Sequence, residues 1–88
     1  MRVNDNFVLR RIYGEFLLMP VRANEAGDEL VALNEVGADI WNLAENGLTE
    51  SEIIANIVKI YGLEKNSVEE ESVRIFVSAL CDKKLLYR

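Results

Sequence analysis

The hydrophobic period of this chain changes once, at Asn34, and the change divides the chain into two kinds of structure. Before it, apolar residues come in two short β-branched and aromatic runs, Phe7-Val8-Leu9-Arg10-Arg11-Ile12-Tyr13 and Phe16-Leu17-Leu18-Met19-Pro20-Val21. Runs of this length between turn residues are strand signals. Gly14-Glu15 offers the reversal between them, so a β-hairpin is predicted. Pro20 has no N–H to give a sheet ladder and is expected near a strand end or on an edge. Arg22-Ala23-Asn24-Glu25-Ala26-Gly27 reads as a polar turn, after which Asp28-Glu29-Leu30-Val31-Ala32-Leu33 returns as a third strand.

From Asn34 onward the spacing is helical. Asn34 is a good N-cap, because its side chain accepts from the free N–H groups of the first turn, and Val36, Ile40, Trp41, Leu43 and Ala44 form one apolar face. Asn46-Gly47 stops this helix, glycine tolerating the left-handed conformation of a helix end. Thr49-Glu50-Ser51-Glu52 is a capping box, followed by Ile53, Ile54, Ile57, Val58, Ile60 and Tyr61 as the apolar part of a second helix that ends at Gly62. Ser67-Val68-Glu69-Glu70 has the spacing of a second box, with its acidic residues at the positive end of a third helix that runs to about Lys83 or Lys84. Leu85-Leu86-Tyr87 is left as a short extended tail. The predicted fold is α+β, a three-stranded antiparallel sheet followed by three helices. Tight turns at 46–48 and 62–66 make it winged helix-turn-helix-like, and residues 1–88 form a single domain with no repeat or linker.

The side-chain inventory narrows the function. The chain has 88 residues, no histidine and one cysteine. A Cys/His zinc site, a histidine general base and a Cys-His nucleophile pair are therefore all excluded. A chain this small buries only about 60–65% of its unfolded surface, so most residues are committed to the core. No enzymatic chemistry, cofactor or metal is expected. The net charge of −5 lacks the positive field that gives most non-specific affinity for phosphate, which argues against nucleic acid. No apolar run approaches the roughly 18–20 residues that span a bilayer. The start Met1-Arg2-Val3-Asn4-Asp5-Asn6 lacks the layout of a secretion signal, so the expected location is cytoplasmic, with no membrane partner.

Two elements carry apolar surface beyond what a core needs. On the third helix Val73, Phe76, Val77 and Leu80 form the core stripe. Val68, Ser72, Ile75 and Ala79 lie on a neighbouring flank and Cys81 extends the stripe on the other side. The apolar arc spreads over roughly 240°, against about 100° for an ordinary surface helix. Such a flank is enclosed within the monomer, covered in a homodimer, or offered to another molecule. The third strand is the second element, since a three-stranded sheet leaves edges that accept another chain through backbone hydrogen bonds. Asp28 and Glu29 read as solvated charges that discourage uncontrolled pairing or as attractors of basic side chains. Trp41 is expected to be a core anchor and Cys81 an inert thiol. Consecutive Glu69-Glu70-Glu71 point about 100° apart and cannot converge on one ion.

The run Leu33-Asn34-Glu35-Val36-Gly37-Ala38-Asp39-Ile40-Trp41-Asn42-Leu43, followed by Gly47-Leu48-Thr49-Glu50-Ser51-Glu52-Ile53, resembles the PqqD family. The likeness covers about residues 5–88 and is more specific in the helices than in the strands. It implies a RiPP recognition element, a winged-helix-like module that binds the leader part of a ribosomally made precursor peptide. Such a module presents the peptide to a modifying enzyme, a radical SAM protein in pyrroloquinoline quinone synthesis or a leader peptidase in lasso-peptide pathways. In these modules the leader adds to the third strand and packs against the third helix. On this chain the implied peptide-binding residues are Glu29, Leu30, Val31, Ala32 and Leu33 with Val68, Ser72, Ile75 and Ala79. The quoted motif residues themselves, Leu33, Asn34, Ile40, Trp41 and Ile53, read as structural.

Two other readings are consistent with the fold. A DNA-binding winged helix predicts a basic outer face on the third helix, whereas Glu70, Glu71, Arg74, Ser78 and Asp82 are expected there. A scaffold or regulatory subunit would dock a protein partner without ever holding a peptide.

Overall fold

A computed structural model describes residues 1–21 and 30–88. Among these residues the elements run β1 (Arg2–Val3), β2 (Phe7–Ile12), β3 (Glu15–Pro20), β4 (Val31–Leu33), α1 (Glu35–Glu45), α2 (Glu50–Tyr61), α3 (Val68–Asp82) and β5 (Leu86–Tyr87). β2, β3 and β4 form an antiparallel three-stranded sheet in that order, with β2 and β4 at its edges. The α+β class and the order of sheet before helices are as the sequence predicts. Pro20 pairs with Phe7 at the last position of β3, the strand end where a missing donor costs least.

The hairpin turn sits one residue earlier than its glycine suggests. Ile12 pairs with Glu15, leaving Tyr13 and Gly14 as the two loop residues, both with positive φ, 51° and 80°. A two-residue loop of this kind needs left-handed backbone at both positions to match strand twist. Only Gly14 adopts it freely, and Tyr13 costs about 1–2 kcal/mol there. The polar turn over 22–27 and the strand positions Asp28 and Glu29 lie outside the described residues. β4 itself begins at Val31, after Leu30 in irregular backbone.

The helix signals act as read. Asn34 Oδ1 accepts from Gly37 N at 2.8 Å. Thr49 Oγ1 accepts from Glu52 N at 3.2 Å while Glu52 Oε1 accepts from Thr49 N at 2.9 Å. Gly62 ends α2 with φ 63°. Ser67 behaves differently: its Oγ accepts from Glu70 N at 3.2 Å, but the Glu70 carboxylate takes the N–H of Asn66, one residue before the cap. The same carboxylate takes Arg74 at 2.8 Å. Glu70 is therefore buried, at 9% exposure, and does not belong to the outer face expected of it. A buried carboxylate requires such partners.

β1 and β5 pair with each other, Arg2 opposite Tyr87 and Val3 opposite Leu86, an element absent from the sequence reading. The Arg2 guanidinium stacks 5.2 Å from the Tyr87 ring centre. The expected extended tail is thus built into the fold, and both Leu85 and Leu86 are buried. One core joins all layers: Leu18 of the sheet, Ile40 and Trp41 of α1, Ile53 and Ile57 of α2, Val77 of α3 and Leu86 of β5 are essentially fully buried. Each such side chain stabilises by about 1.5–3 kcal/mol. Trp41 is the anchor, with its indole N–H unpartnered. Cys81 is half-buried and burial pushes its thiol pKa up, which keeps it protonated and unreactive near neutrality.

Candidate functional site

β4 pairs only with β3 among the described residues, through Leu18–Val31, Leu17–Ala32 and Phe16–Leu33. No described residue pairs with its far edge. Side chains alternate along it: Leu33 is buried, Val31 packs on the core and Ala32 faces solvent. Leu30, just before the strand, is 57% exposed.

Directly after β4 the chain enters a mainly apolar hollow of about 310 Å³. Asn34 and Val36 form one wall at the start of α1. Ile57, Tyr61 and Leu63 form the floor at the end of α2, and Glu69, Ser72, Val73 and Phe76 of α3 form the opposite wall. Helical spacing explains the α3 wall, since 69, 72, 73 and 76 fall on one side of successive turns. Phe76 reaches across to α1. A Cβ added to Gly37 would lie 3.0 Å from the Phe76 ring and 3.3 Å from Leu33 Cβ, so glycine at 37 is what lets the ring approach. The ring thus meets the start of α1, directly after β4.

Acidic groups lie at or close to the hollow. The Tyr61 hydroxyl donates to Asp39 Oδ2 at 2.5 Å. Burial, this hydrogen bond and the charges of Asp39 and Glu35 push the Tyr61 pKa up to about 12. Glu69 is the carboxylate that lines the hollow itself, and none of the described residues lining it is cationic.

The predicted site residues separate in space. Ser72 lines the hollow, and residues 31–33 lead into it. Val68, Ile75 and Ala79 are exposed on α3 outside it, Val68 at 79% and Ile75 at 62%. Ile75 and Ala79 instead border a shallow depression with Glu71, Arg74, Ser78 and Asp82. Arg74 there is engaged by Glu70 at 2.8 Å and lies 3.9 Å from Glu71. Glu29 lies outside the described residues. At the far end of α3, Arg88 binds Glu50 at 2.7 Å and Ser78 at 3.0 Å. That contact holds the Glu50 carboxyl below the usual range and ties the chain end to α2 and α3.

The family model for coenzyme PQQ synthesis protein D (PqqD) matches residues 16–86. The chain belongs to the PqqD family. Among solved structures it is similar to "TbiB1 in Complex with the TbiA(beta) Leader Peptide", with 31% identity, 100% of this chain and 99% of that one covered, and a TM-score of 0.75. No curated protein matches the chain. The resemblance seen in the helices thus extends to the whole fold, strands included.

The sequence reading of this PqqD-family chain missed Val36, Tyr61, Leu63 and Phe76 as walls of one hollow. Phe76 carried a usable signal. It stands at the margin of the α3 core stripe, next to Ser72, and an aromatic at such a margin is wide enough to serve core and groove together.

Proposed function

We propose that this chain binds the leader segment of a ribosomally synthesised precursor peptide and presents it to a modifying enzyme. The observation that carries this reading is the whole-chain similarity to a structure solved with a leader peptide, on a fold whose β4 edge, unpaired among the described residues, runs into an apolar hollow. The leader adds as a strand along residues 30–33, its backbone giving register and its alternate side chains reaching the hollow. Ser72 contacts it from α3, and Val68, Ile75 and Ala79 stand at the outer margin. An unfolded leader loses conformational freedom on binding, so an affinity of about micromolar or somewhat tighter is expected.

The partner enzyme is a radical SAM protein or a leader peptidase, and the setting is cytoplasmic. No helix among the described residues is long and apolar enough to cross a membrane. Recognition, with no reaction on this chain, suits a hollow whose ionisable groups among the described residues are one carboxylate, Glu69, and the Tyr61 phenol, held protonated. DNA binding is disfavoured on the outer face of α3, where Arg74 is already engaged by glutamates.

An amide NMR titration with leader peptides encoded beside this gene tests the proposal. Shifts should concentrate in residues 30–36 and 68–79. Shifts confined to β1, β2 and β5, or no shift with any leader, would overturn it.

A further inference from the structure

The apolar hollow accounts for one leader side chain, and its rim speaks to a second. Glu69 stands on the α3 wall, while Asp39 and Glu35 stand on the α1 side near Tyr61. None of the three is in an ion pair with a described residue; the pairs there join Arg74 to Glu70 and Glu71, and Arg88 to Glu50. The negative field also reaches the floor, where it helps keep the Tyr61 phenol protonated. A carboxylate on the wall of an apolar cleft, with another bonded to a residue of its floor, focuses that field on whatever occupies it. The whole chain is acidic as well, at −5.

Resting on the reading of the site as a leader-peptide groove, we infer that the segment it takes is cationic: a large apolar side chain seated in the hollow, with a Lys or Arg two positions away drawn to Glu69 on the α3 wall and to the α1 carboxylates beside Tyr61. The spacing follows from the extended backbone that strand addition imposes. Each residue advances about 3.3 Å, and successive side chains point to opposite sides. A cation two positions away, about 6.6 Å along the backbone, therefore returns to the same side and passes beside the rim while the apolar residue fills the centre. An acidic segment would bring like charges together in a partly desolvated cleft and is selected against.

A display library of random 12-residue peptides, panned on the full-length chain, reads this directly. Peptides captured by the wild type should be enriched in Lys or Arg two positions from a large apolar residue. A captured peptide should bind several-fold more weakly in 0.5 M NaCl than at low salt, and about tenfold more weakly to Glu69→Lys. Glu69→Gln, which avoids a cation at the positive helix end, should give a smaller loss in the same direction. Captured peptides with no cation enrichment and no salt dependence, still lost when Ser72→Trp fills the hollow, would overturn the charge inference and leave the groove standing. If no peptide is captured, the groove reading falls together with the inference.

Discussion

The inner and outer flanks of α3 carry comparable apolar side chains and differ in what faces them. Ser72, Val73 and Phe76 look across a hollow at Asn34 and Val36 of α1, with Ile57, Tyr61 and Leu63 beneath. Ile75 and Ala79, on the same helix, border only a shallow depression among Glu71, Arg74, Ser78 and Asp82. An apolar surface with walls on three sides strips water from an incoming side chain on all of them, whereas a ridge does so on one. Exposure and enclosure therefore rank these residues in opposite orders: Ile75 is exposed with no opposing wall, whereas the half-buried Phe76 has one.

Substitutions on the two flanks separate these roles. Ser72→Trp, which fills the hollow from an exposed helical position, should weaken leader binding about thirtyfold, or about 2 kcal/mol. Its thermal unfolding should stay close to wild type. Unchanged affinity, measured by fluorescence anisotropy, would move the groove elsewhere. Glu70→Ala leaves the Asn66 N–H and the Arg74 guanidinium without their partner, and should cost about 1.5 kcal/mol of stability in urea denaturation. A neutral result would mean that the start of α3 is held by packing alone. Ile75→Glu, on the outer margin, should weaken leader binding about threefold, near 0.6 kcal/mol. A loss as large as that of Ser72→Trp would put the peptide on the ridge as well as in the hollow. The smallest effect is spectroscopic. The Tyr61 phenol is favoured over its anion in the folded protein, so its contribution to stability is intact below its ordinary pKa of about 10. That contribution is lost as pH rises towards about 12. A tyrosinate absorbance phase near that pH should vanish in Tyr61→Phe.

What the residues disclosed in advance follows from how local each signal is. Asn34, the Thr49–Glu52 pair and Gly62 act within one helical turn, and each works as its spacing implies. The Ser67–Glu70 spacing looked equivalent to Thr49–Glu52, yet Glu70 answers Asn66 and Arg74 instead. The pattern fixes who caps whom from the hydroxyl side, while the carboxylate chooses among donors that only the folded turn brings near. The β1–β5 ladder was illegible because two-residue strands at opposite ends of the chain have no internal period to read. The hollow was only half legible: Ser72 stood out on α3, but its other walls come from α1 and the end of α2, whose placement relative to α3 no single periodicity encodes.

The ladder between Arg2–Val3 and Leu86–Tyr87 also has a kinetic meaning. Joining the two ends requires closing nearly the whole polypeptide into a ring, so its entropic cost is highest before the hairpin and helices have formed. Contacts made after the rate-limiting step leave the refolding rate alone and set how fast the native state opens. Replacing Arg2 by glycine removes the guanidinium stacked on Tyr87, an interaction worth about 0.5–1 kcal/mol at an exposed site. The unfolding limb of a chevron plot should then rise about threefold while the refolding limb stays in place. A slower refolding limb would place this clasp in the folding nucleus; an unmoved one makes it a latch that delays unravelling from the ends.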